Sequence, residues 1–310
     1  MARSPTRPAF PRVVAIFGPT ASGKSPVAAA LAERIPAEVV SADSAAVYRE
    51  LPILTAAPES AARLVGVFEL AHEVSVGEYQ RLAHEAIDEI VTGGRTALVV
   101  GGTGLYLRAA ISDMTLPPPP QAGARERWAR LYDRVGGRAA HTALAERDPA
   151  AAARVHPNDR RRIVRALELA EAGASLAPAR DALWTEETRH ATLIVGLDVP
   201  RDELDRRIEE RTRAMFERGV AEEVRAALAQ PLSSTARKVM GLREVAELPP
   251  EQACEELIRA TRRFARYQRK WMRRVPGLVM VAADRPPGEV ADAILELGRA
   301  REHLPADRAG

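Results

Sequence analysis

The chain contains 310 residues, of which 46% are hydrophobic, 28% charged and 4% aromatic, and its formal net charge is +3. This length can bury one large core or two smaller ones, and the composition excludes collagen-like, disulfide-scaffold and wholly disordered proteins. A single cysteine, Cys254, cannot form an internal disulfide, which fits a reducing compartment. Residues 1–12 lack the apolar stretch of a signal peptide, and no run of about 18 apolar residues occurs. We therefore expect a cytoplasmic protein without a membrane span.

Strands and helices alternate in the first third of the chain. Residues 13–17 predict a buried strand that ends in a glycine-rich loop, and residues 26–34 predict the helix that follows. A second strand is expected at 38–40, and a helix at 76–92 precedes a third strand at 97–100. Because strands that alternate with helices pair in parallel, the pattern predicts an α/β fold with a doubly wound parallel sheet of the P-loop type.

The alternation stops at a run of four prolines, residues 117–120. The arginine-rich segment that follows, to about residue 174, has apolar residues at helical spacing and no strand signals. Strand character returns at 192–196 and again at 278–281. We therefore predict a small helical insertion at 117–190, set into a P-loop α/β core formed by residues 1–116 and 191–310.

The glycine-rich loop reads GPTASGKS and matches the phosphate-binding pattern GxxxxGK[ST] between a strand and a helix. Lysine is so scarce in this chain that a chance match has a probability on the order of one in a thousand. In such a motif, also typical of ATP and other nucleotide sites, backbone N–H groups and the helix dipole face the anion. Lys24 adds a charge for a phosphate, and Ser25 offers a hydroxyl ligand for Mg²⁺. The expected phosphate-binding residues are Gly18, Thr20, Ala21, Ser22, Gly23, Lys24 and Ser25.

Polar residues also follow the other two strands. Asp43 comes after the second strand, and Thr103 lies between two glycines after the third. Both residues are therefore expected at the carboxyl edge of the sheet, where doubly wound sheets bind their ligands. The pattern leaves alternatives open, because Asp43 also suits a helix N-cap or a magnesium ligand and Thr103 also suits a simple turn.

Two segments concentrate positive charge. Residues 160–165 hold four arginines on a helix whose N-cap is expected at Asn158 or Asp159, and residues 259–274 hold eight basic residues and no acidic one. Either run alone is typical of a solvated face, but two runs together with a phosphate pocket favour a surface that binds a polyanion. Helical spacing in the second run predicts one apolar stripe, formed by Phe264, Tyr267, Gln268 and Trp271.

Seven motifs occur in a fixed order along the chain: GPTASGKS at 18–25, SADS at 41–44, GGTGLYL at 101–107, HPNDRRRIVRALEL at 156–169, GLDVPRDELDRRI at 196–208, KVMGLRE at 238–244 and TRRFARYQRKWMRR at 261–274. Together they resemble the bacterial tRNA dimethylallyltransferase (tRNA isopentenyltransferase) family. The resemblance extends from about residue 13 to residue 284, and the ordered set is far more specific than the P-loop alone.

The resemblance implies transfer of a dimethylallyl group from dimethylallyl diphosphate to N6 of the adenosine 3′ of the anticodon in a subset of tRNAs. It implies that the P-loop holds the diphosphate with Mg²⁺ at Ser25, that Asp43 is the base, and that Thr103 contacts the flipped adenosine. It further implies that the helical insertion binds the anticodon stem-loop, and we expect the protein to be a monomer. The positions that match tRNA contacts are Ser44, Ala45, Ala46, Arg125, Arg161, Arg162, Ile163, Val164, Arg165, Lys238, Gly241 and Arg243.

The chain departs from the usual family pattern after residue 44. Ala46 stands where many relatives have glutamine, and Leu54 and Ala57 stand where relatives have the glycine and lysine of GTAKP. The connection that follows, to about residue 74, is shorter than usual. Two other classes of protein stay open: a small-molecule P-loop kinase, which would require ATP turnover, and an RNA-binding protein without catalysis. Incubation with ATP and small metabolites tests the kinase, and prenyl transfer to undermodified tRNA tests the RNA-binding protein without catalysis.

Overall fold

The computed structural model describes residues 10–58, 60–116, 121, 123–177 and 182–302, and every structural statement below concerns these residues. The chain folds into two compact units. One unit comprises Met1–Asp113 and Leu183–Gly310, and the other comprises Met114–Ala182. The four prolines at 117–120 lie outside the described residues.

The first unit is built on a parallel sheet, as the alternation of strands and helices predicts. Its strands are β1 Val13–Phe17, β2 Ala37–Ser41, β3 Ala62–Arg63, β4 Thr96–Gly101, β5 Thr192–Asp198 and β6 Val279–Ala282. Within the described residues these six strands lie in the order β3-β2-β4-β1-β5-β6. The central strand β1 is buried along its whole length and pairs in parallel with β4 and β5. Short apolar strands buried on both faces are typical of parallel sheets covered by helices.

Helices cover this sheet. The helix expected at 76–92 has those bounds because Ser75 caps it, accepting a hydrogen bond from the Glu78 N–H at 3.1 Å. The helix after the P-loop begins at Lys24 rather than at residue 26, since Pro26 is tolerated in a first turn. Among the described residues no helix is long and apolar enough to cross a bilayer. The helices of this unit are α1 Lys24–Ala32, α2 Val76–Thr92, α3 Gly104–Ile111, α7 Arg201–Glu217, α8 Val220–Leu228, α9 Leu242–Glu247, α10 Pro250–Met272 and α11 Pro287–Glu302.

The order of the strands brings three loops together. β2, β4 and β1 are parallel neighbours, so the segments that follow them meet at one edge of the sheet. These loops approach so closely that a Cβ at Gly101 would lie 2.2 Å from the Ala42 carbonyl oxygen. Only glycine permits this approach, which places the P-loop, residues 42–44 and residues 101–104 side by side.

The second unit is helical in its described part and has its own core. It contains α4 Ala124–Arg147, α5 Pro149–Ala152 and α6 Arg160–Glu171, and Gly136 (φ 80°) interrupts α4. Asp159, one of the two expected N-caps, accepts a hydrogen bond from the Arg162 N–H at 3.0 Å and caps α6. Leu144, Ile163 and Leu167 are fully buried in the core of this unit.

The boundary after the second unit falls at residue 182, whereas the sequence pattern places it at 190. The segment 183–190 belongs to the first unit because it forms hydrogen bonds and ion pairs with helices α2 and α3 of that unit. Arg108 on α3 donates to the Thr185 carbonyl oxygen at 2.8 Å, and Asp88 on α2 pairs with Arg189 at 3.0 Å and with His190 at 2.7 Å. Strand periodicity could not reveal these contacts, because the segment itself has no regular pattern.

Candidate active site

A cavity of about 110 Å³ lies at the sheet edge where the three loops meet. The P-loop contributes Thr20, Lys24 and Ser25 to its wall, and the segment after β2 contributes Asp43. The structure therefore joins two of the motifs that the sequence analysis selected separately. Other lining residues come from β4, the 55–62 segment, α7 and α10, namely Gly101, Thr55, Ala56, Pro58, Arg211, Phe264 and Gln268.

The P-loop has the backbone that an anion-binding turn requires. Gly23 has a φ of 87°, and Ala21 has a φ of 61°, a left-handed conformation that is uncommon for a residue with a Cβ. α1 begins directly after Gly23, so the backbone N–H groups of its first turn lie next to the cavity. Ser22 is buried against Gly18, where a Cβ would lie 2.5 Å from its hydroxyl oxygen, so Gly18 leaves the room that the Ser22 side chain occupies.

Lys24 is an ammonium group held in the wall of this cavity. Its Nζ donates to the Pro19 carbonyl oxygen at 2.8 Å. Burial lowers the pKa of Lys24 to about 8, an effect that nearby Asp43 opposes and nearby Arg211 strengthens. A group in this environment gains stabilisation of its charged form when an anion enters the cavity.

Arg211 is a second cation in the cavity wall, and the sequence analysis did not identify it. It lies on α7 and donates to the Thr20 hydroxyl, while its Nε is buried without a hydrogen-bond partner in the described part of the chain. Burial lowers the pKa of Arg211, and Asp43 opposes that shift. Since a buried cation without a carboxylate partner is unfavourable, this arrangement suits an anionic ligand.

The sequence did contain a signal for Arg211. α7 has five arginines, and four of them have an acidic residue three or four positions away: Arg201, Arg206, Arg207 and Arg213. Those four form ion pairs along the helix surface. Arg211 instead has Arg207, Ile208, Ala214 and Met215 at these positions, so no acidic neighbour on its own helix can neutralise it.

Gln268 on α10 connects two of the loops. Its side chain is 3% exposed, accepts a hydrogen bond from the Thr20 N–H at 2.8 Å and donates to the Gly102 carbonyl oxygen at 2.9 Å. A Cβ at Gly102 would lie 2.3 Å from the Gln268 amide nitrogen, so the glycine makes room for this bridge. The prediction that Tyr267 and Gln268 share one apolar stripe of α10 is therefore wrong. Gln268 faces inward, whereas Tyr267 is 56% exposed.

Asp43 holds the turn that follows β2. Its Oδ1 accepts hydrogen bonds from the Ala45 N–H at 2.8 Å and the Ala46 N–H at 3.3 Å. This is an Asx-type turn, close to the capping role that the sequence left open. Both hydrogen bonds use Oδ1, and no described residue bonds to Oδ2. One oxygen therefore supports the loop while the carboxylate still lines the cavity.

Thr103 is linked to the same turn. Its hydroxyl lies 3.4 Å from the Ser44 hydroxyl, and it occupies the N-cap position of α3 without making a side-chain capping bond. The next residue, Gly104, has no room for a side chain, because a Cβ there would lie 2.3 Å from the Trp271 ring. Thr103, the expected adenosine contact, and Asp43, the expected base, thus lie on adjoining loops.

The remaining residues that match tRNA contacts in this unit lie around α9. Lys238 and Arg243 are exposed, and Gly241 has a φ of 92° at the start of α9. A Cβ at Gly241 would lie 2.8 Å from Leu54, one of the residues that depart from the family pattern. Leu54 is thus a packing residue, and Ala57 lies between the cavity-lining residues Ala56 and Pro58.

The second unit contains the other basic residues expected to contact tRNA. Arg161 and Arg162 are exposed on α6, whereas the side chains of Ile163 and Val164 are buried. The last two can therefore contact RNA only through their backbone. Glu168, with a fully buried side chain, holds the other two expected arginines, accepting from Arg125 at 2.8 Å and from Arg165 at 3.0 Å.

Comparison with known proteins finds similarity over almost the whole chain. A family described as IPP transferase matches residues 46–275, and one described as Isopentenyl transferase matches residues 11–66. A tRNA dimethylallyltransferase of Streptomyces coelicolor is 40% identical over 282 residues, which cover 87% of this chain and 89% of that protein. One from Anaeromyxobacter dehalogenans is 40% identical over 292 residues, covering 90% of this chain and 98% of that protein.

Solved structures have the same fold. The crystal structure of a tRNA isopentenylpyrophosphate transferase from Bacillus halodurans is 30% identical, with a TM-score of 0.65, and the match covers 94% of this chain and 99% of that one. A eukaryotic dimethylallyltransferase, solved acting on tRNA, has a TM-score of 0.74 at 21% identity, covering 96% of this chain and 81% of that one.

Proposed function

The chain belongs to the IPP transferase family, and we propose that its cavity binds dimethylallyl diphosphate beside an extruded tRNA adenosine. The protein is an enzyme that prenylates tRNA, in agreement with the activity that its sequence motifs imply. The donor, the acceptor atom and the roles of individual residues are the subject of the proposal. The observation that carries it is a cavity lined by two cations, Lys24 and Arg211, together with one carboxylate, Asp43.

The cations and the P-loop suit a diphosphate leaving group. When the bond between the prenyl carbon and the diphosphate oxygen breaks, negative charge accumulates on that oxygen. Lys24, Arg211 and the first N–H groups of α1 are positioned to stabilise this charge. The five-carbon prenyl group itself requires an apolar wall, and Phe264, Val39 and Val100 line the same cavity.

The residues present also fit a Mg²⁺ ion bound together with the diphosphate. Among the described residues no cluster of three or more acidic, histidine or cysteine side chains forms a protein-only metal cage. Mg²⁺ on a phosphate ligand needs only one or two protein oxygens, because phosphate and water supply the rest. Ser25 would hold it, with Asp43 on the same wall, and the ion when bound would neutralise diphosphate charge.

Asp43 and Thr103 suit the acceptor side of the reaction. The adenosine amine is a weak nucleophile, since its lone pair is delocalised into the ring. A carboxylate that accepts a hydrogen bond from the amine orients it and takes its proton as the carbon–nitrogen bond forms. Asp43 has Oδ2 available for this, because Oδ1 holds the Ala45 and Ala46 N–H groups. The diphosphate departs with the electron pair of the broken carbon–oxygen bond.

The acceptor must leave its stack to reach this cavity. Base extrusion gives enzymes access to an atom that is otherwise stacked, at an energetic cost of a few kcal/mol. Exposed cations can repay that cost through phosphate contacts, and Arg161, Arg162, Lys238 and Arg243 are exposed. Phosphate contacts of this kind position a bound nucleic acid but carry no sequence information.

The test is transfer of a radiolabelled dimethylallyl group to unmodified tRNA, followed by nucleoside analysis for N6-dimethylallyladenosine. Lys24→Ala should slow transfer at least about tenfold, because a charge-assisted contact worth about 1.5–3 kcal/mol is lost, while tRNA affinity stays near that of the wild type. A parallel incubation with ATP and small metabolites should give no phosphoryl transfer. Transfer by Lys24→Ala at the wild-type rate would contradict the diphosphate assignment.

A further inference from the structure

A turn formed by residues 51–57 supplies part of the cavity wall, and the catalytic assignment gives it no role. Thr55 and Ala56 of this turn line the cavity. The turn contains no charged residue, and Ala57 stands where many relatives have lysine. The Thr55 hydroxyl is already engaged, since it donates to the Leu51 carbonyl oxygen at 2.7 Å. This part of the wall therefore offers an uncharged surface rather than a contact for phosphate.

The turn needs support from outside itself. Its later N–H groups bond within the turn; the Thr55 N–H, for example, donates to the Leu51 carbonyl oxygen at 3.0 Å. The N–H groups of Ile53 and Leu54 come too early for such bonds, like the first N–H groups of a helix. Ala56 has a φ of 49°, a left-handed conformation that is unfavourable for a residue with a Cβ. Such a conformation persists only where surrounding contacts hold the backbone.

Glu223 on α8 supplies the two missing acceptors. One of its carboxylate oxygens accepts a hydrogen bond from the Ile53 N–H at 2.7 Å, and the other accepts from the Leu54 N–H at 2.8 Å. The two N–H groups lie 170 and 169 positions away from Glu223 along the chain. Hydrogen bonds to a carboxylate are stronger than those between neutral groups. Glu223 therefore fixes the first half of the turn to α8, as a capping residue fixes the start of a helix.

The position of Glu223 on its own helix does not account for this arrangement. Acidic residues are favourable in the first turn of a helix, and Glu222 and Glu223 both lie in the first turn of α8. Glu222 is exposed and pairs with Arg225 at 3.8 Å. Of these two glutamates, only Glu223 uses both of its oxygens on the backbone of a distant segment.

Packing of the Leu54 side chain is a second contact that holds the turn. Leu54 is buried, and Gly241 at the start of α9 leaves the room for it. An apolar contact has no preferred direction, whereas hydrogen bonds from two adjacent N–H groups fix the orientation of the backbone. That orientation decides where the next residues, Thr55 and Ala56, lie in the cavity wall.

We propose that Glu223 is a positioning residue, which holds the 51–57 turn as the part of the wall that contacts the prenyl group of the donor. The cations of the cavity, Lys24 and Arg211, belong to other elements, so the uncharged turn suits the hydrocarbon end of the donor rather than its diphosphate. Glu223 acts through the turn, and Thr55 and Ala56 make the contacts. The inference rests on the proposed function, because the donor is assigned there.

The test separates the two ends of the donor. Single-turnover transfer to unmodified tRNA, measured against the concentration of dimethylallyl diphosphate, gives a half-saturating concentration and a maximal rate. Inorganic pyrophosphate, added as an inhibitor of the same reaction, reports on the diphosphate end alone. Glu223→Ala should raise the half-saturating concentration about tenfold, because the turn loses two charge-assisted hydrogen bonds. The maximal rate and the pyrophosphate inhibition constant should change less than about threefold.

Two further variants separate the carboxylate from the helix that carries it. Glu223→Gln keeps one acceptor oxygen, so it should raise the half-saturating concentration less than Glu223→Ala does. Glu222→Gln, the matched control in the same turn of α8, should stay within about twofold of the wild type. A smaller folded fraction lowers the maximal rate but not the half-saturating concentration, so a loss of stability does not imitate the expected effect.

Three results would overturn the inference: an unchanged half-saturating concentration in Glu223→Ala, an equal rise in Glu222→Gln, or a pyrophosphate inhibition constant that rises by the same factor as the half-saturating concentration. The last result would assign the turn to the diphosphate. Failure of the proposed function has a different signature, because the wild type itself would then transfer no dimethylallyl group. The two failures are therefore distinguishable.

Discussion

Asp43 has an observed structural role and a proposed chemical role in one side chain. Its Oδ1 holds the turn that carries Ser44, Ala45 and Ala46, and its position in the cavity wall puts the same carboxylate beside Lys24 and Arg211. A substitution that removes the carboxylate charge without removing Oδ1 separates the two roles. Asparagine is that substitution, because its amide oxygen can still accept the two backbone N–H groups.

Asp43→Asn is expected to slow prenyl transfer by about a hundredfold or more, since general-base assistance is typically worth about 10²–10⁴-fold. Affinities for tRNA and dimethylallyl diphosphate should change less than about fivefold, because the turn is kept. Single-turnover rates and equilibrium binding measure the two effects. Should the variant instead lose diphosphate binding and recover turnover at high magnesium, Asp43 is a metal ligand and not the base.

Lys24 predicts a pH dependence of anion binding. Its pKa is lowered to about 8, so the ammonium is present below that pH and is lost above it. Inorganic pyrophosphate should therefore bind more weakly as the pH rises through about 8, and at pH 8 its binding should take up protons. Calorimetry in buffers of different ionisation enthalpy measures both effects. Lys24→Gln removes the titrating group, and a wild-type pH profile in that variant would refute the assignment.

At the scale of single elements, α10 joins two loops, a role that its sequence pattern does not reveal. Gln268 bridges Thr20 and Gly102, which lie 248 and 166 residues away along the chain. The helix thus connects the P-loop with the loop of residues 101–104. Neither the loops nor the helix alone contains this information.

Gln268→Leu leaves the Thr20 N–H and the Gly102 carbonyl without their buried partner, which costs about 1–3 kcal/mol for each group. We expect a lower free energy of unfolding and a pyrophosphate affinity reduced about tenfold, because the P-loop loses a contact that orders it. Urea unfolding and calorimetry are the measurements. Cys254→Ala, a buried change on the same helix away from both loops, should lower stability without weakening pyrophosphate binding. Equal losses in both variants would make Gln268 a packing residue only.

At the scale of the whole molecule, the first unit contains the cavity, and expected tRNA contacts lie in both described units. The cavity with its anion-binding groups lies in the first unit, and Arg161 and Arg162 lie on α6 in the second. The second unit has its own buried core and its own carboxylate, Glu168, that orients Arg125 and Arg165. RNA binding and pyrophosphate binding should therefore respond to different substitutions.

Replacing Arg161 and Arg162 with alanine should weaken tRNA binding and reduce its salt slope by about 1 to 2, since each neutralised phosphate contributes about 0.9. Pyrophosphate binding should not change. Arg160→Ala is the matched control on the same helix, because Asp133 already neutralises Arg160 through two hydrogen bonds at 2.7 and 2.6 Å. A salt slope that stays the same in the double variant would make these arginines a solvated face.

The amino-acid sequence by itself determined the features that depend on neighbours along the chain. The P-loop, the parallel α/β fold, helix α2 and an N-cap of α6 at Asn158 or Asp159 follow from local patterns, and the structure selects Asp159 as the cap. The roles of Arg211 and Gln268, the inward and outward faces of α10 and the boundary at residue 182 were decided only by the tertiary structure. Each of these depends on contacts between residues far apart in sequence, and such contacts exist only once helices have packed onto the sheet.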